Sequence, residues 1–241
     1  MWFVSSAAGL CCISPTPKSL SLNWCLQTVP KRNKMRVGLF GGSFNPIHNG
    51  HLHLARSVKE ACGLEQVLLM PTGTPPHKSA AEYADAHHRL AMCRLAAAPY
   101  DWMTVSDDEI KKNGKSYTVE TLRDLHQQRP DVQWTLMIGS DMLMTFDSWY
   151  CWQEILSLAD VCAVSRNEAE APFLRQKAWA LSLAAGLPLT EPRIRVLSVP
   201  PFPISSTQIR AKVQKNENCS CLLPENVVQY MDENGLYRVL K

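Results

Sequence analysis

The run Gly41-Gly42-Ser43-Phe44-Asn45-Pro46-Ile47-His48-Asn49-Gly50-His51 sets two imidazoles three positions apart, behind a glycine pair and a proline. Glycines let backbone N–H groups approach a ligand, proline stiffens a turn, and a helix start offers unpaired donors with the positive end of its dipole. Such a set suits an oxyanion, and the imidazoles of His48 and His51 stand where a polyphosphate would lie. Taken alone, the histidine pair also reads as part of a metal site or as polar loop residues. Near the other end, Ile204-Ser205-Ser206-Thr207-Gln208-Ile209-Arg210 follows a corner containing Pro200, Pro201 and Pro203. Ser205 or Ser206 is placed to cap a helix with Arg210 one turn further in, so hydroxyls, free N–H groups and a guanidinium converge on a second anion site. By itself this run reads equally as an ordinary cap with a surface arginine.

Each group needs a strand before it and a helix after it, and the pattern from Met35 onward supplies them. Strands are predicted at 36–40, 66–70, 102–106, 132–138, 161–164 and 194–199, separated by helical segments. This alternation predicts an α/β fold, a Rossmann-like, doubly wound parallel sheet with helices on both faces. A helix over 51–62 puts Leu54, Val58, Ala61 and Cys62 on one face and ends at Gly63. A second, over 117–128, carries Val119, Leu122 and Leu125 and stops before Pro130. The alanine-rich span 168–189, with Phe173, Trp179 and Leu181, predicts a helical insertion before the last strand, and 224–234 a C-terminal helix with Gly235 past its end.

Other candidates lie between the two groups. Pro75-Pro76-His77-Lys78 is a stiff turn bearing an imidazole and an ammonium, or a solvated lysine on a turn. Ser116-Tyr117-Thr118 opens a helix and can be a cap. Asp141, in Ile138-Gly139-Ser140-Asp141, stands at the carboxyl end of a strand, where an acid suits a ribose diol. Trp152 begins an apolar helix with Ile155, Leu156 and Leu158, which predicts a core position.

Several of these motifs, in this order, resemble one family over residues 35–240. The stretch GGSFNPIHNGHL resembles the bacterial nicotinate-nucleotide adenylyltransferases, whose superfamily signature is His-x-Gly-His after the first strand. The run ISSTQIR resembles the second signature, and PPHK and SYT match further elements. The resemblance implies transfer of AMP from ATP to nicotinate mononucleotide, with His48, His51, Lys78 and Arg210 on the phosphates. It implies that Gly41, Gly42, Ser43, Phe44, Gly139, Asp141, Ile204, Ser205 and Ser206 hold ATP. Asn45, Ser116, Tyr117, Thr118 and Trp149 would hold the acceptor, Trp149 by stacking on the pyridine ring. Mg²⁺ would arrive with ATP rather than on protein ligands, and His87, His88 and Arg89 match a mostly architectural His-Arg element. Related enzymes acting on pantetheine phosphate or glycerol phosphate, and a non-catalytic nucleotide-binding protein, are the alternatives.

Composition agrees with such a chain. With 241 residues and 46% hydrophobic content it can bury a sizeable core, and a net charge of +3 without a Lys/Arg block implies no nucleic-acid partner. Nine cysteines without a Cys-x-x-Cys pair fit a reducing cytoplasm, with Cys62, Cys93 and Cys162 as small apolar core residues. Cys11-Cys12 and Cys219-Ser220-Cys221 read as solvated loops. Residues 1–34 hold no period of either kind and too broken an apolar stretch to span a membrane; they read as an irregular extension, through a mis-assigned start or a presequence. Residues 35–241 are expected to form one domain, for which a homo-oligomer is an open option.

Overall fold

The structure, a computed structural model, describes residues 34–73, 83–112, 116–165, 168–188, 190, 192–200 and 202–238. Residues 1–33 of the extension, with Cys11-Cys12, and also Pro75-Pro76-His77-Lys78 and Pro201 lie outside them. Six parallel strands, β1 (Met35–Gly42), β2 (Gln66–Pro71), β3 (Met103–Val105), β4 (Val132–Gly139), β5 (Ala159–Ser165) and β6 (Ile194–Ser198), form one sheet in the order β3-β2-β1-β4-β5-β6. The helices are α1 (Asn49–Cys62), α2 (Ala86–Ala97), α3 (Asp108–Lys111), α4 (Thr118–Gln128), α5 (Ser140–Met144), α6 (Trp152–Leu158), α7 (Ala171–Ala184), α8 (Ser206–Gln214) and α9 (Glu225–Glu233).

The central strands are apolar along nearly their whole length because both of their faces are covered. Val37 and Leu39 of β1 and Trp134, Leu136 and Ile138 of β4 turn to one side, where Leu122 of α4, Leu143 of α5, Ile155 of α6 and Leu174 of α7 close the core. Phe40 and Met137 turn to the other, against Val58 of α1, Met92 of α2, Ile209 of α8 and Val227 of α9. Burying one such side chain is worth about 1.5–3 kcal/mol. Gly38 keeps β1 clear: a Cβ there would lie 2.8 Å from Leu64 Cδ1 and 2.9 Å from Met137 Sδ. β1 and β4 pair side by side, Leu39 opposite Leu136, and after them the chain leaves toward opposite faces. Their carboxyl ends therefore flank the crevice in which doubly wound sheets bind ligands.

Some expectations need correction. α1 starts at Asn49, earlier than predicted, and buries Ala55, Val58 and Cys62 while Ala61 is exposed. The span before β6 opens as a 3₁₀ turn, Glu168–Glu170, and buries Leu174, Ala178 and Leu181; Phe173 and Trp179 are 68% and 55% exposed. Cys219 is no solvated loop residue: it is buried, its thiol donating to the Glu217 carbonyl. Cys62, Cys93 and Cys162 are core residues as expected. Among the described residues, no helix is long and apolar enough to cross a membrane.

Candidate active site

The loop after β1 is built around its own buried side chains. At Gly41 a Cβ would meet nothing within 4 Å, so the strand end borders open space, whereas at Gly42 it would lie 3.1 Å from Phe44 Cζ. Phe44 takes a left-handed φ of 43°, unusual for an aromatic residue, and its ring is 1% exposed. That ring stands edge-on to Phe40 at 5.4 Å and to His51 at 5.1 Å. The Phe44 ring is therefore a floor beneath His51, which leaves only its backbone to meet a ligand. Asn45 is also 1% exposed, and its Oδ1 accepts from Ala84 N–H at 3.1 Å and Tyr237 O–H at 2.7 Å. These bonds occupy its side-chain oxygen in holding the turn.

His48 is the N-cap of α1 and His51 its third residue. The His48 backbone N–H donates to His51 Nδ1 over 3.2 Å, which leaves the neutral His51 ring with its proton on Nε2, a donor for an anion. The two rings lie 3.7 Å apart, inclined by 32°. Gly50 makes this placement possible, since a Cβ there would press to 3.0 Å on the His48 ring.

α8 is tied to this loop across the sequence. Ser205 caps it, its Oγ accepting from Gln208 N–H at 3.2 Å while Gln208 Oε1 accepts from Ser205 N–H at 2.9 Å. Ser206 Oγ donates to the Pro46 carbonyl at 2.9 Å, and Arg210 Nη1 to the Asn45 carbonyl at 2.8 Å. Two helix N-termini thereby face one cleft of about 200 Å³, with His48, His51, Ser205 and Ser206 on its polar side and Leu54, Val164, Val199 and Ile204 on its apolar side. Arg210 does not line that cleft. It borders a second cavity beside Tyr83, Tyr237 and Arg238, bracing the loop from behind.

Arg89 completes the support. Fully buried, it donates to the carbonyls of Ser43 and Thr72 at 2.8 Å and of Gly73 and Ala84 at 3.1 Å, with Tyr83 4.7 Å from its guanidinium. Burial lowers its affinity for the proton, and these carbonyls offset the loss of water around the charge. Ser43 thus serves the site through its backbone, and the His-Arg element is architectural as predicted.

A second group of candidate residues stands at the end of β4 and the start of α4. A Cβ at Gly139 would lie 2.7 Å from Asp141 Oδ1, so the glycine leaves room for that exposed carboxylate over the strand end. Tyr117 is the N-cap of α4 and Thr118 its first residue. Ser116 Oγ lies 3.5 Å from Thr121 Oγ1, which donates to Glu109 Oε1 at 3.1 Å. Burial raises the Glu109 carboxyl above its ordinary value, against these hydroxyl bonds. Trp149 packs on Phe146 at 5.1 Å, and Trp152 meets the same ring edge-on; Trp152 is half-buried, packing against the core rather than within it. The Tyr117 and Tyr150 rings stand 5.0 Å apart, which brings Ser116-Tyr117-Thr118 beside Trp149. Glu109, Tyr150 and Tyr237 belong to no motif read from the sequence; for Tyr237 the one available signal is an aromatic residue just past Gly235.

Comparison with known proteins agrees with this arrangement. Residues 39–212 match the family model described as cytidylyltransferase-like. A protein of Synechococcus sp. (strain JA-3-3Ab), named "Probable nicotinate-nucleotide adenylyltransferase", is 40% identical over 210 residues, covering 86% of this chain and 97% of that one. A protein of the same name from Neisseria meningitidis serogroup B is 39% identical over 202 residues, covering 84% and 98%. Among solved structures, the Plasmodium falciparum nicotinic acid mononucleotide adenylyltransferase complexed with NaAD superposes with a TM-score of 0.66 at 15% identity, covering 84% of this chain and 97% of that one. At that identity the likeness concerns the fold. With nearly the full length of such relatives matched, the chain belongs to the nicotinate-nucleotide adenylyltransferases of the cytidylyltransferase-like family.

Proposed function

We propose that this chain transfers the adenylyl group of ATP to nicotinate mononucleotide, giving deamido-NAD and pyrophosphate. The observation that carries the proposal is the joining of the two anion-facing helix starts by Ser206 on Pro46 and Arg210 on Asn45, with His48 and His51 at their common cleft. An oxygen of the mononucleotide 5′-phosphate attacks the α-phosphorus in line, the bond from that phosphorus to the bridging oxygen breaks, and pyrophosphate leaves with the electron pair. No covalent enzyme intermediate is needed, so positioning and charge stabilisation supply the acceleration, each well-placed donor contributing about 2–4 kcal/mol.

His51, with Nδ1 occupied by the His48 N–H, offers Nε2–H to the charge that develops on the α-phosphate. His48, Ser205, Ser206 and the α8 N-terminus hold the remaining phosphate oxygens, and the apolar side of the cleft suits the adenine face. Lys78, outside the described residues, is assigned to the triphosphate and Asp141 to a ribose diol, while Arg210 holds the loop through the Asn45 carbonyl. Ser116-Tyr117-Thr118 and Trp149 are assigned to the pyridine ring and its carboxylate. The cleft's donors are imidazole and hydroxyl groups with the N–H groups of two helix starts, which suit phosphate oxygens rather than a hard cation; Mg²⁺ is proposed to enter as part of the magnesium–ATP substrate. Residues 35–241 carry the activity in this reading.

Pyrophosphate release from ATP or CTP, measured with nicotinate mononucleotide, nicotinamide mononucleotide, pantetheine phosphate and glycerol phosphate, tests the proposal. ATP with nicotinate mononucleotide should give the highest kcat/KM. A higher value for pantetheine phosphate or glycerol phosphate would move the chain to another branch, and no turnover with any pair would favour a non-catalytic role.

A further inference from the structure

Tyr237 stands 192 residues from Asn45 in the sequence, yet its phenol O–H donates to Asn45 Oδ1 over 2.7 Å. The tail that brings it there turns back sharply after α9: the Leu236 N–H donates to the Met231 carbonyl at 3.0 Å, and both Gly235 and Tyr237 have left-handed φ, 59° and 62°. An aromatic residue keeps that backbone only where its surroundings hold it. Burial pushes the Tyr237 phenol far above its ordinary value, against the neighbouring Arg210 and Arg89, so it remains a neutral donor throughout the working pH range. Asn45 is the point where three distant segments meet: its Oδ1 takes the Ala84 N–H and the Tyr237 O–H, and its carbonyl takes Arg210. Three residues later comes His48, whose N–H sets the His51 ring.

We propose that Tyr237 is a positioning residue for the transfer: by bonding Asn45 it fixes the turn that sets His48 and His51 against the phosphates. The inference rests on the function proposed above. A displaced turn would misplace both imidazoles while leaving the acceptor side untouched, so the loss should fall on kcat rather than on KM for the mononucleotide.

The test compares Tyr237→Phe with Tyr230→Phe. Tyr230 is a matched control from the same end of the chain, its phenol bonded to His88 Nδ1 at 2.9 Å, away from the loop. Tyr237→Phe should lower kcat about tenfold with KM for nicotinate mononucleotide within about threefold, while Tyr230→Phe keeps kcat within about twofold at a comparable change in Tm. Ring resonances of His48 and His51, read by NMR in the substrate-free full chain, should move in Tyr237→Phe and stay in place in Tyr230→Phe. Unmoved resonances in Tyr237→Phe, or equal losses of kcat in the two variants, would overturn the inference. A parent chain inactive with every acceptor would overturn the function instead, and the resonances would still decide the positioning. If Tyr237→Phe fails to fold, Asn45→Leu removes the acceptor from the other side; kcat within twofold of the parent there would equally reject the role.

Discussion

The two ends of the proposed site are buried to different degrees. At the phosphate end Phe44 and Asn45 are 1% exposed, His48 is 5% exposed, and Arg89, Ser206 and Arg210 bind the carbonyls of the loop between β1 and α1. At the acceptor end Tyr117 and Tyr150 are 41% and 55% exposed and lean on each other, and Met142 and Met144 nearby are 40% and 49% exposed. The chemistry explains the contrast. Charge developing on a phosphorus is stabilised by donors already in place, because donors that must reorganise lose part of their effect. A ring that has to enter and leave is better met by aromatic surfaces that can part.

The comparison breaks first at Arg89. Its replacement by Met removes the partner of four carbonyls, those of Ser43, Thr72, Gly73 and Ala84, and should cost about 3–5 kcal/mol of stability. Denaturant unfolding measures this; a loss under about 1 kcal/mol would show that the phosphate end does not depend on the buried guanidinium. Next comes His51→Ala, expected to reduce turnover about 100-fold or more with Tm nearly unchanged, since it deletes a donor and little packing. Unchanged turnover in the folded variant would take His51 out of the mechanism.

A smaller effect is expected at the looser end. Helix-terminal N–H groups at Ser116-Tyr117-Thr118 would stabilise a ring carboxylate, whereas an amide would turn its own NH₂ toward them; unpaired donors cost about 1–3 kcal/mol each, so the acid mononucleotide should be preferred at least tenfold. Trp149→Ala should weaken both mononucleotides alike, because stacking on a ring face does not read its substituent. Specificity constants for the two acceptors in parent and variant check both statements; equal parent values would mean that the pocket lies elsewhere. The smallest effect belongs outside both regions. A chain beginning at Met35 should match the full chain in Tm and kcat/KM, since residues before it show no helical or strand period. Loss of folding on truncation would give the extension a structural part.

Local pattern made much of the frame legible. Apolar runs of four to eight residues separated by amphipathic helices have one stable arrangement, a parallel sheet covered on both faces, and each of the six strands lies where its run predicts, within a few residues at the ends. Trimming at β3 to Met103–Val105 and extension of α1 back to Asn49 concern element ends, where propensity is weakest and tertiary bonds decide; Asn49 N–H, for instance, donates to the Leu222 carbonyl at 3.0 Å.

At the site, residue types foretold the chemistry but not the division of labour. His48, His51, Ser205 and Ser206 line one cleft, because cap residues act on backbone within a few positions of themselves and two helix starts face each other there. Phe44, Asn45 and Arg210 sit within those same motifs and serve as supports, their side chains taken up by Phe40 and His51, by Tyr237, and by the Asn45 carbonyl. Whether an asparagine faces a ligand or a tyrosine 192 residues away depends on how α9 and its tail pack against α2 and the loop, and no local spacing encodes that contact. The linear chain thus specified which groups can bind a polyphosphate and which elements carry them. Long-range packing alone determined which of those groups line the cleft and which are taken up in holding the others, because burial and hydrogen-bond pairing are properties of neighbours in space.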